Sequence, residues 1–185
     1  MPALHGRACP FFFVSVRKWG RAAGARGALD APGPALRAAQ PAGPDVIKPN
    51  TSELAATVGR PLSTLGDAVQ APQELRALGA LGAGTVVACL GRDGLLLVGE
   101  QGACQGTAPS VAARSTVGSG SAALAGFLIA GGDGPGALRS ALAHGAAADR
   151  LPGPVMPAPS DLRQAEVRIT RDLPLDLPLA EPGTP

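Results

Sequence analysis

The stretch that decides the fold is STVGSGSAALAGF, residues 115–127. A short segment of apolar and hydroxyl residues runs into a glycine turn, and a run of small residues follows it. This order predicts a strand, a turn and then a helix over 121–130. The backbone N–H groups of Gly118 to Ser121 would then point at one spot with the helix dipole behind them. We call these four N–H groups the anion cradle, because such an arrangement binds negative charge.

The same glycines also match G-x-G-x-x-A, a dinucleotide-binding fingerprint. That fingerprint normally follows the first strand of a βαβ unit and has an acidic residue about 20 positions further on. Here it lies late in the chain, and Asp133 comes too soon. A dinucleotide-binding oxidoreductase is therefore the least favoured of the functional hypotheses.

A second motif is KPNTSE, residues 48–53. The apolar segment before it predicts a buried strand over 45–48, which Pro49 ends. A helix over 52–58 should follow, with Gly59 just past its end. Asn50 and Glu53 are three positions apart, which leaves two interpretations open. They could organise Mg²⁺ waters or a phosphate, or they could form a capping box, and the spacing alone favours the capping box.

Other elements follow from hydrophobic patterning and from glycine and proline positions. We predict helices over 35–40, 65–78 and 137–148, with a break or later start of the second one at Pro72. Strands are predicted over 85–89 and 95–98, antiparallel around a tight turn at 91–94. One further element lies within 162–170, and the chain from Leu173 onward reads as a loose Pro-rich tail. Helices that alternate with buried strands indicate an α/β fold with a mostly parallel sheet.

Composition and charge exclude several classes of function. The net charge is +2 without a basic stripe, so no nucleic acid is expected as a partner. The longest apolar runs are too short for a membrane helix, so no membrane is expected either. Three widely spaced cysteines suit a reducing, cytoplasmic compartment better than a disulfide framework or a zinc site. Only two histidines are present, which excludes a His-rich metal centre.

Combined in this order, the motifs are much more specific than either one alone. Residues from about Asp30 to Thr170 resemble the C-terminal part of the PfkB/ribokinase-type carbohydrate kinases, in particular bacterial 1-phosphofructokinase and tagatose-6-phosphate kinase. The matching segments are DVIKPN at 45–50 with EL at 53–54, the turn of Leu90, Gly91 and Gly94, RSTVGSG at 114–120, PG at 152–153 and PAPSD at 157–161. The resemblance implies a three-layer α/β/α fold whose central sheet is incomplete here.

The resemblance also implies a role for each matching residue. Asn50 and Glu53 would hold Mg²⁺ through water, and Gly118, Ser119 and Gly120 would form the site for the transferred phosphoryl group. Ala146 would lie beside the adenine. ATP would be bordered by a set of residues that spans the turn and the cradle: Cys89, Leu90, Gly91, Arg92, Asp93, Gly94 and Gly120. The implied activity is phosphoryl transfer from ATP to a sugar phosphate of the fructose 1-phosphate type.

Three departures from the family pattern qualify this activity. Ser121 stands where the family has the Asp that acts as general base, and a serine hydroxyl cannot replace a carboxylate base near neutral pH. Cys89 stands where a hydroxyl residue is usual. Only about 45 residues precede Lys48, whereas the family's sugar-binding half lies before this motif.

Several expectations follow from these departures. The chain alone should transfer little or no phosphate, and Ser121→Asp should not restore the activity. An exposed sheet edge should allow association, and the alternative function is a nucleotide-binding or regulatory remnant that pairs with another chain. The expected organisation is an unmatched leader at 1–25, where four of the five aromatic residues lie, the kinase part at 26–170 and the tail at 171–185.

Overall fold

The computed structural model describes residues 22–31, 33–39, 42–77, 84–109 and 113–180. Within these residues, one six-stranded sheet contains the strands in chain order: β1 Ala28–Leu29, β2 Val46–Ile47, β3 Thr85–Cys89, β4 Leu95–Gly99, β5 Gly102–Thr107 and β6 Arg168–Thr170. The helices that lie wholly within them are α1 Gly33–Ala39, α2 Thr51–Val58, α3 Leu65–Ala77, α4 Ser119–Ile129 and α5 Gly134–Arg150. Most of the predicted leader and the predicted helix ends at Gln40 and Leu78 lie outside the described residues.

The sheet is mixed. Strands β1, β2 and β3 pair in parallel, whereas β3–β4, β4–β5 and β5–β6 pair antiparallel. The prediction of a mostly parallel sheet is therefore wrong, although the α/β class is confirmed. The reason is the length of the connections: β3 and β4 are joined by a single tight turn, and β4 and β5 by two residues. Connections this short can only form hairpins, because a parallel pair needs a crossover of a dozen residues or more.

Apolar side chains fill both faces of the sheet. On one face Val86 and Leu96 pack with Leu54 and Leu65 of helices α2 and α3. On the other face Val87 packs in a second cluster with residues of α4 and α5, among them Phe127 and Leu138. Neighbouring residues of β3 thus point to opposite layers, as the period of a strand requires. This α/β/α arrangement explains why β3 and β4 read as continuous apolar runs.

Helices α4 and α5 approach each other closely because their contact residues are small. A Cβ atom added to Gly126 would lie 2.4 Å from Nδ1 of His144, and one added to Gly145 would lie 3.3 Å from Cβ of Ala123. Nδ1 of His144 lies 2.8 Å from the carbonyl oxygen of Ser140. The small residues of these helices therefore serve packing, and His144 belongs to that packing.

Two further sequence expectations differ from the structure. Helix α3 continues through Pro72 without the predicted break. The part of the Pro-rich tail that the structure describes, up to Ala180, is docked instead of loose, because the N–H groups of Leu65 and Gly66 donate to the carbonyls of Leu177 and Leu175. The docked tail covers the start of α3. None of the helices in the described ranges has both the length and the apolar character needed to cross a membrane.

Candidate active site

Three parallel strands end at the same edge of the sheet, and each end carries a polar side chain. Asp30 follows β1, Lys48 follows β2, and Cys89 is the last residue of β3. Ligands of α/β folds bind outside the carboxyl ends of parallel strands, because the loops and helix starts there leave a crevice. These three residues therefore mark the edge at which a site is expected.

Lys48 is the centre of this group. Its residue surface is only 7% exposed, and its Nζ lies 3.2 Å from Oδ1 of Asp30 and 3.9 Å from Sγ of Cys89. A buried ammonium needs such partners, because an unpaired charge in the interior is very costly. Burial also raises the pKa of the Cys89 thiol, and the charge of Lys48 opposes that rise only in part. Cys89 is therefore a protonated, unreactive thiol near neutral pH.

The start of helix α2 is closed by its own side chains. Oδ1 of Asn50 accepts a hydrogen bond from the Glu53 N–H at 2.8 Å, and Oε2 of Glu53 accepts one from the Asn50 N–H at 2.9 Å. This is a complete capping box, as the spacing of the two residues favoured. At its other end, α2 stops at Gly59 in the left-handed conformation, φ 74°, as predicted.

The start of helix α4 is open. Gly118 precedes the helix with φ 88°, a conformation that favours glycine, and no side chain caps this end in the part of the chain that the structure describes. The Ser119 hydroxyl donates to the Thr116 carbonyl at 3.0 Å and is not used as a cap. Ser121 is exposed in the same first turn. The cradle N–H groups thus lack the side-chain partner that most helix starts possess.

Lys48 brings the strand ends and the open helix start together. A Cβ atom added to Gly120 would lie 3.1 Å from Nζ of Lys48, so the ammonium lies directly against the first turn of α4. Asn50 in turn pairs with Cys89 in a parallel bridge. The structure therefore places both predicted motifs at one site, where Lys48 of the KPNTSE motif lies against the first turn of α4.

Asp149, near the end of α5, lies on another side of the cradle. Its carbonyl accepts from the N–H of Arg114 at 2.8 Å, which ties the loop before α4 to α5. Its Oδ1 is buried and has no hydrogen-bond partner among the described residues. Burial raises the pKa of this carboxyl, while the Ser119 hydroxyl and the charge of Arg150 oppose the rise. The cradle thus has beside it a half-buried carboxyl with one oxygen that lacks a hydrogen-bond partner among the described residues.

The turn after β3 is held by specific contacts. Gly94 has φ 86°, and a Cβ there would lie 2.1 Å from the carbonyl oxygen of Gly106, so only glycine fits. Oδ2 of Asp93 accepts from the N–H of Ala180 at 2.8 Å, which engages this carboxylate with the docked tail. The remaining turn residues predicted to border a nucleotide are Leu90, which is buried, and Gly91 and Arg92, which are exposed.

Ala146, expected beside the adenine, lines a small cleft on α5. Its neighbours there include Ala108, Ala143 and Arg150. The groups of ligating side chains needed for direct metal coordination are absent from the described residues. The capping box uses one carboxylate oxygen of Glu53 and leaves the other as an acceptor for a water of a hydrated Mg²⁺.

Comparison with known proteins identifies the class. Residues 14–160 match the family described as pfkB family carbohydrate kinase, and the match begins inside the segment predicted as an unmatched leader. The 1-phosphofructokinase of Rhodobacter capsulatus is 42% identical over 110 residues, 60% of this chain and 34% of that protein. The ATP-dependent 6-phosphofructokinase isozyme 2 of Escherichia coli is 40% identical over 98 residues, 52% of this chain and 31% of that protein.

A solved structure gives the same result for the fold. Phosphofructokinase-2 from Escherichia coli, in complex with substrates and products, superposes with a TM-score of 0.73 at 30% identity, over 84% of this chain and 51% of that one. The chain belongs to the pfkB family of carbohydrate kinases and has the ribokinase-like fold. It spans about a third of the length of the curated relatives it matches.

Sequence reasoning gave no role to two residues of this site. The sequence motif gives Lys48 no role of its own, although it is one of just two lysines in the chain and follows a buried strand. Asp149 carried no signal, because its position beside the cradle depends on how α5 packs against α4.

Proposed function

We propose that this chain binds the phosphates of ATP at the open start of α4, as part of a sugar-phosphate kinase of the 1-phosphofructokinase type. The observation that carries the proposal is the uncapped first turn behind Gly118, placed against a buried ammonium at the carboxyl ends of parallel strands. Helix N-terminal N–H groups and a positive dipole end attract phosphate. The relatives named above support ATP as the nucleotide and a phosphorylated hexose as the acceptor.

Chemically, the cradle would stabilise negative charge as it develops on the transferred phosphoryl oxygens. Gly118 to Ser121 would donate backbone hydrogen bonds, and the turn at 91–94 would border the nucleotide. Asn50 and Glu53 would orient water around Mg²⁺, which supplies charge neutralisation when bound. Asn50 and Glu53 would do so in addition to capping α2.

The sequence lacks a carboxylate at the position of the family's general base. Ser121 occupies the position of the family's Asp, and loss of a positioned base typically costs about 10²–10⁴-fold in rate. We therefore propose that the chain alone binds ATP but transfers phosphate slowly or not at all.

Isothermal titration with ATP and Mg²⁺, together with a coupled ADP assay on fructose 1-phosphate, tests both parts of this proposal. We expect binding without robust turnover, both in the natural chain and in Ser121→Asp. Absence of ATP binding would refute the proposed site. A gain of rate in Ser121→Asp would show that the chain binds the acceptor sugar by itself.

A second candidate function is a nucleotide-binding or regulatory partner of another chain. The observation that favours it is β1, which pairs only with β2 among the described strands. A strand with an open side can pair with a further chain. Sedimentation at several concentrations tests pairing between copies of this chain, since association should raise the apparent mass while an isolated monomer should not change.

A further inference from the structure

The turn at 91–94, which is proposed to border the nucleotide, begins and ends with glycine. Gly91 has φ 60° and Gly94 has φ 86°, conformations that other residues rarely adopt. Glycine also has the largest backbone freedom of all residues, so a turn built on two of them loses much conformational entropy when it is fixed. A single conformation of this turn therefore depends on contacts from outside it.

Asp93 receives two such contacts, from parts of the chain that are distant in sequence. Its carbonyl accepts a hydrogen bond from Nε2 of Gln105 in β5 at 2.8 Å, and its Oδ2 accepts one from the N–H of Ala180 at 2.8 Å. Gln105 is buried, and a buried amide is normally hydrogen-bonded, so this bond belongs to the core. The bond from Ala180 is different, because it comes from the tail and fixes the side chain of Asp93.

The tail segment 173–180 is itself fixed before it reaches the turn. The N–H of Gly66, at the start of α3, donates to the carbonyl of Leu175 at 2.8 Å. A Cβ atom added to Gly66 would lie 3.0 Å from that same carbonyl oxygen, so helix and tail approach each other closely. Leu179 packs against the core cluster on this face of the sheet. The N–H of Ala180 therefore projects from a docked segment.

We propose that Asp93 is a positioning residue for the nucleotide: through its bond to Ala180 it ties the turn at 91–94 to the docked tail and holds the turn in the conformation that borders the nucleoside part of ATP. This inference rests on the proposed function, in which the cradle holds the phosphates. It adds the tail, which lies outside both motifs, to the nucleotide site. A turn that is already fixed loses less freedom when ATP binds, so the tie should raise the affinity.

A tail that only stabilises the fold is the competing explanation. In that case Asp93→Ala would weaken every ligand to the same extent. If Asp93 positions the turn, its loss should weaken ATP binding and leave the binding of tripolyphosphate, which has no nucleoside, unchanged. The charge of Asp93 cannot explain such a loss, because removal of a negative charge near an anionic ligand should by itself favour binding.

Titration calorimetry of the full chain with ATP and with tripolyphosphate, both with Mg²⁺, tests this. Asp93→Ala and Ala180→Pro, which removes the donor N–H, should each weaken ATP binding roughly tenfold, about the cost of fixing one further residue. The double variant should lose little more, because both changes remove the same bond. Asp93→Asn keeps an acceptor oxygen and should recover most of the affinity. Asp176→Ala, which removes an exposed tail carboxylate, is the matched control and should change no affinity.

Hydrogen exchange without any ligand reports on the turn itself. The N–H of Leu90 donates to the carbonyl of Gly94 at 2.8 Å, and the N–H of Gly94 donates to that of Gly91 at 3.1 Å. Both amides are protected as long as the turn stays closed. They should exchange faster in the two variants that lack the bond to the tail, whereas the amide of Gly59 at the end of α2 should not change.

Each outcome decides the inference. A loss of ATP affinity with unchanged tripolyphosphate affinity and faster exchange supports it. Unchanged ATP affinity, an equal loss for both ligands, additive losses in the double variant or unchanged exchange overturns it and leaves the proposed function intact. If one single variant does not fold, the other decides alone, and if tripolyphosphate does not bind the natural chain, exchange and the double variant decide. If the natural chain does not bind ATP, the proposed function fails together with the inference.

Discussion

Two helices begin at the same edge of the sheet, and their first turns are built in opposite ways. Helix α2 starts with a complete capping box, in which Asn50 and Glu53 satisfy each other's backbone N–H groups. Helix α4 starts behind Gly118 with no side-chain cap in the described structure. A cap is typically worth about 1 kcal/mol, so the open start of α4 gives up stability that α2 keeps.

The difference separates a structural helix start from a binding one. A capped start has little left to offer to a ligand, whereas an open start keeps its N–H groups and its dipole available. Lys48 adds a charge to the open start, at Gly120. The lack of a side-chain cap on α4 in the described structure therefore matters to the site as much as the residues that surround it.

The largest effect is expected from filling the open start. Gly120→Val would place its side chain against Nζ of Lys48, where even a Cβ lies at 3.1 Å, and should lower ATP affinity roughly 100-fold. Gly136→Val is the matched control, because Gly136 lies in the first turn of α5 and a Cβ there meets nothing within 4 Å. Calorimetric titration should show the loss only in Gly120→Val. An equal loss in both variants would contradict a specific role of the open start.

Variants at the capped start of α2 can distinguish a capping box from a site for hydrated Mg²⁺. Glu53→Gln keeps the capping box, since glutamine serves at this position, but removes the charge next to a hydrated Mg²⁺. It should therefore keep its melting temperature and weaken Mg²⁺-dependent ATP binding by about tenfold, the effect of about 1.4 kcal/mol.

Asn50→Ala provides the comparison for this prediction. It should lower the free energy of unfolding by about 1 kcal/mol through loss of the cap. Thermal melts and titrations with and without Mg²⁺ measure both quantities. A Glu53→Gln protein with unchanged Mg²⁺ dependence would reduce Glu53 to a cap alone.

Asp67, in the first turn of α3, gives a prediction on how the stability of the fold depends on acid pH. Oδ2 of Asp67 accepts from the N–H groups of Ser63 and Thr64, and these bonds, with help from Arg60, lower the pKa of Asp67 from 3.8 to about 2. The folded chain thus holds the charged form more tightly than the unfolded chain does. This stabilisation is complete above about pH 4 and is lost as the pH falls through about 2. Denaturant melts of Asp67→Asn should be less stable than the natural chain near neutral pH and equal to it at the acid end.

The smallest effect concerns Asp149. Burial raises its pKa, so the folded chain prefers the neutral acid, and the charged form costs stability at any pH above that raised value. Asp149→Asn should be slightly more stable than the natural chain near neutral pH. The difference should shrink as the pH falls through the raised pKa towards the ordinary value for aspartate. A variant that is less stable at neutral pH would show that the Ser119 hydroxyl and the charge of Arg150 outweigh the cost of burial.

Much of the fold could be predicted from local sequence signals. The positions of α2 and of β3 followed from a strand-ending proline, a helix-ending glycine and a continuous apolar run. Strand β5 was missed because it contains Gly102 and Gly106 and has no alternation. Its glycine serves tertiary packing: a Cβ at Gly106 would lie 2.3 Å from Cδ1 of Leu142. A need of that kind is set by a neighbouring helix and leaves no local pattern.

Some parts of the candidate site could likewise be predicted from local sequence signals, and others could not. The cradle and the capping box could be predicted because each is built within a few consecutive residues. The cluster of Asp30, Lys48 and Cys89 could not, because it depends on which strands end side by side. The docking of the tail up to Ala180 could not be predicted for a related reason, since proline content does not reveal that backbone groups of Leu175 and Leu177 meet those of α3.

The amide resonances of the two helix starts test the central claim most directly. An NMR titration of the labelled chain with ATP and Mg²⁺ can follow the ¹H and ¹⁵N shifts of Ser119, Gly120 and Ser121 against those of Ser52 and Glu53. We predict large shifts in the first turn of α4 and smaller ones in the capped turn of α2. Saturable ATP binding that leaves the α4 amides unshifted would contradict the claim that the open helix start holds the phosphates.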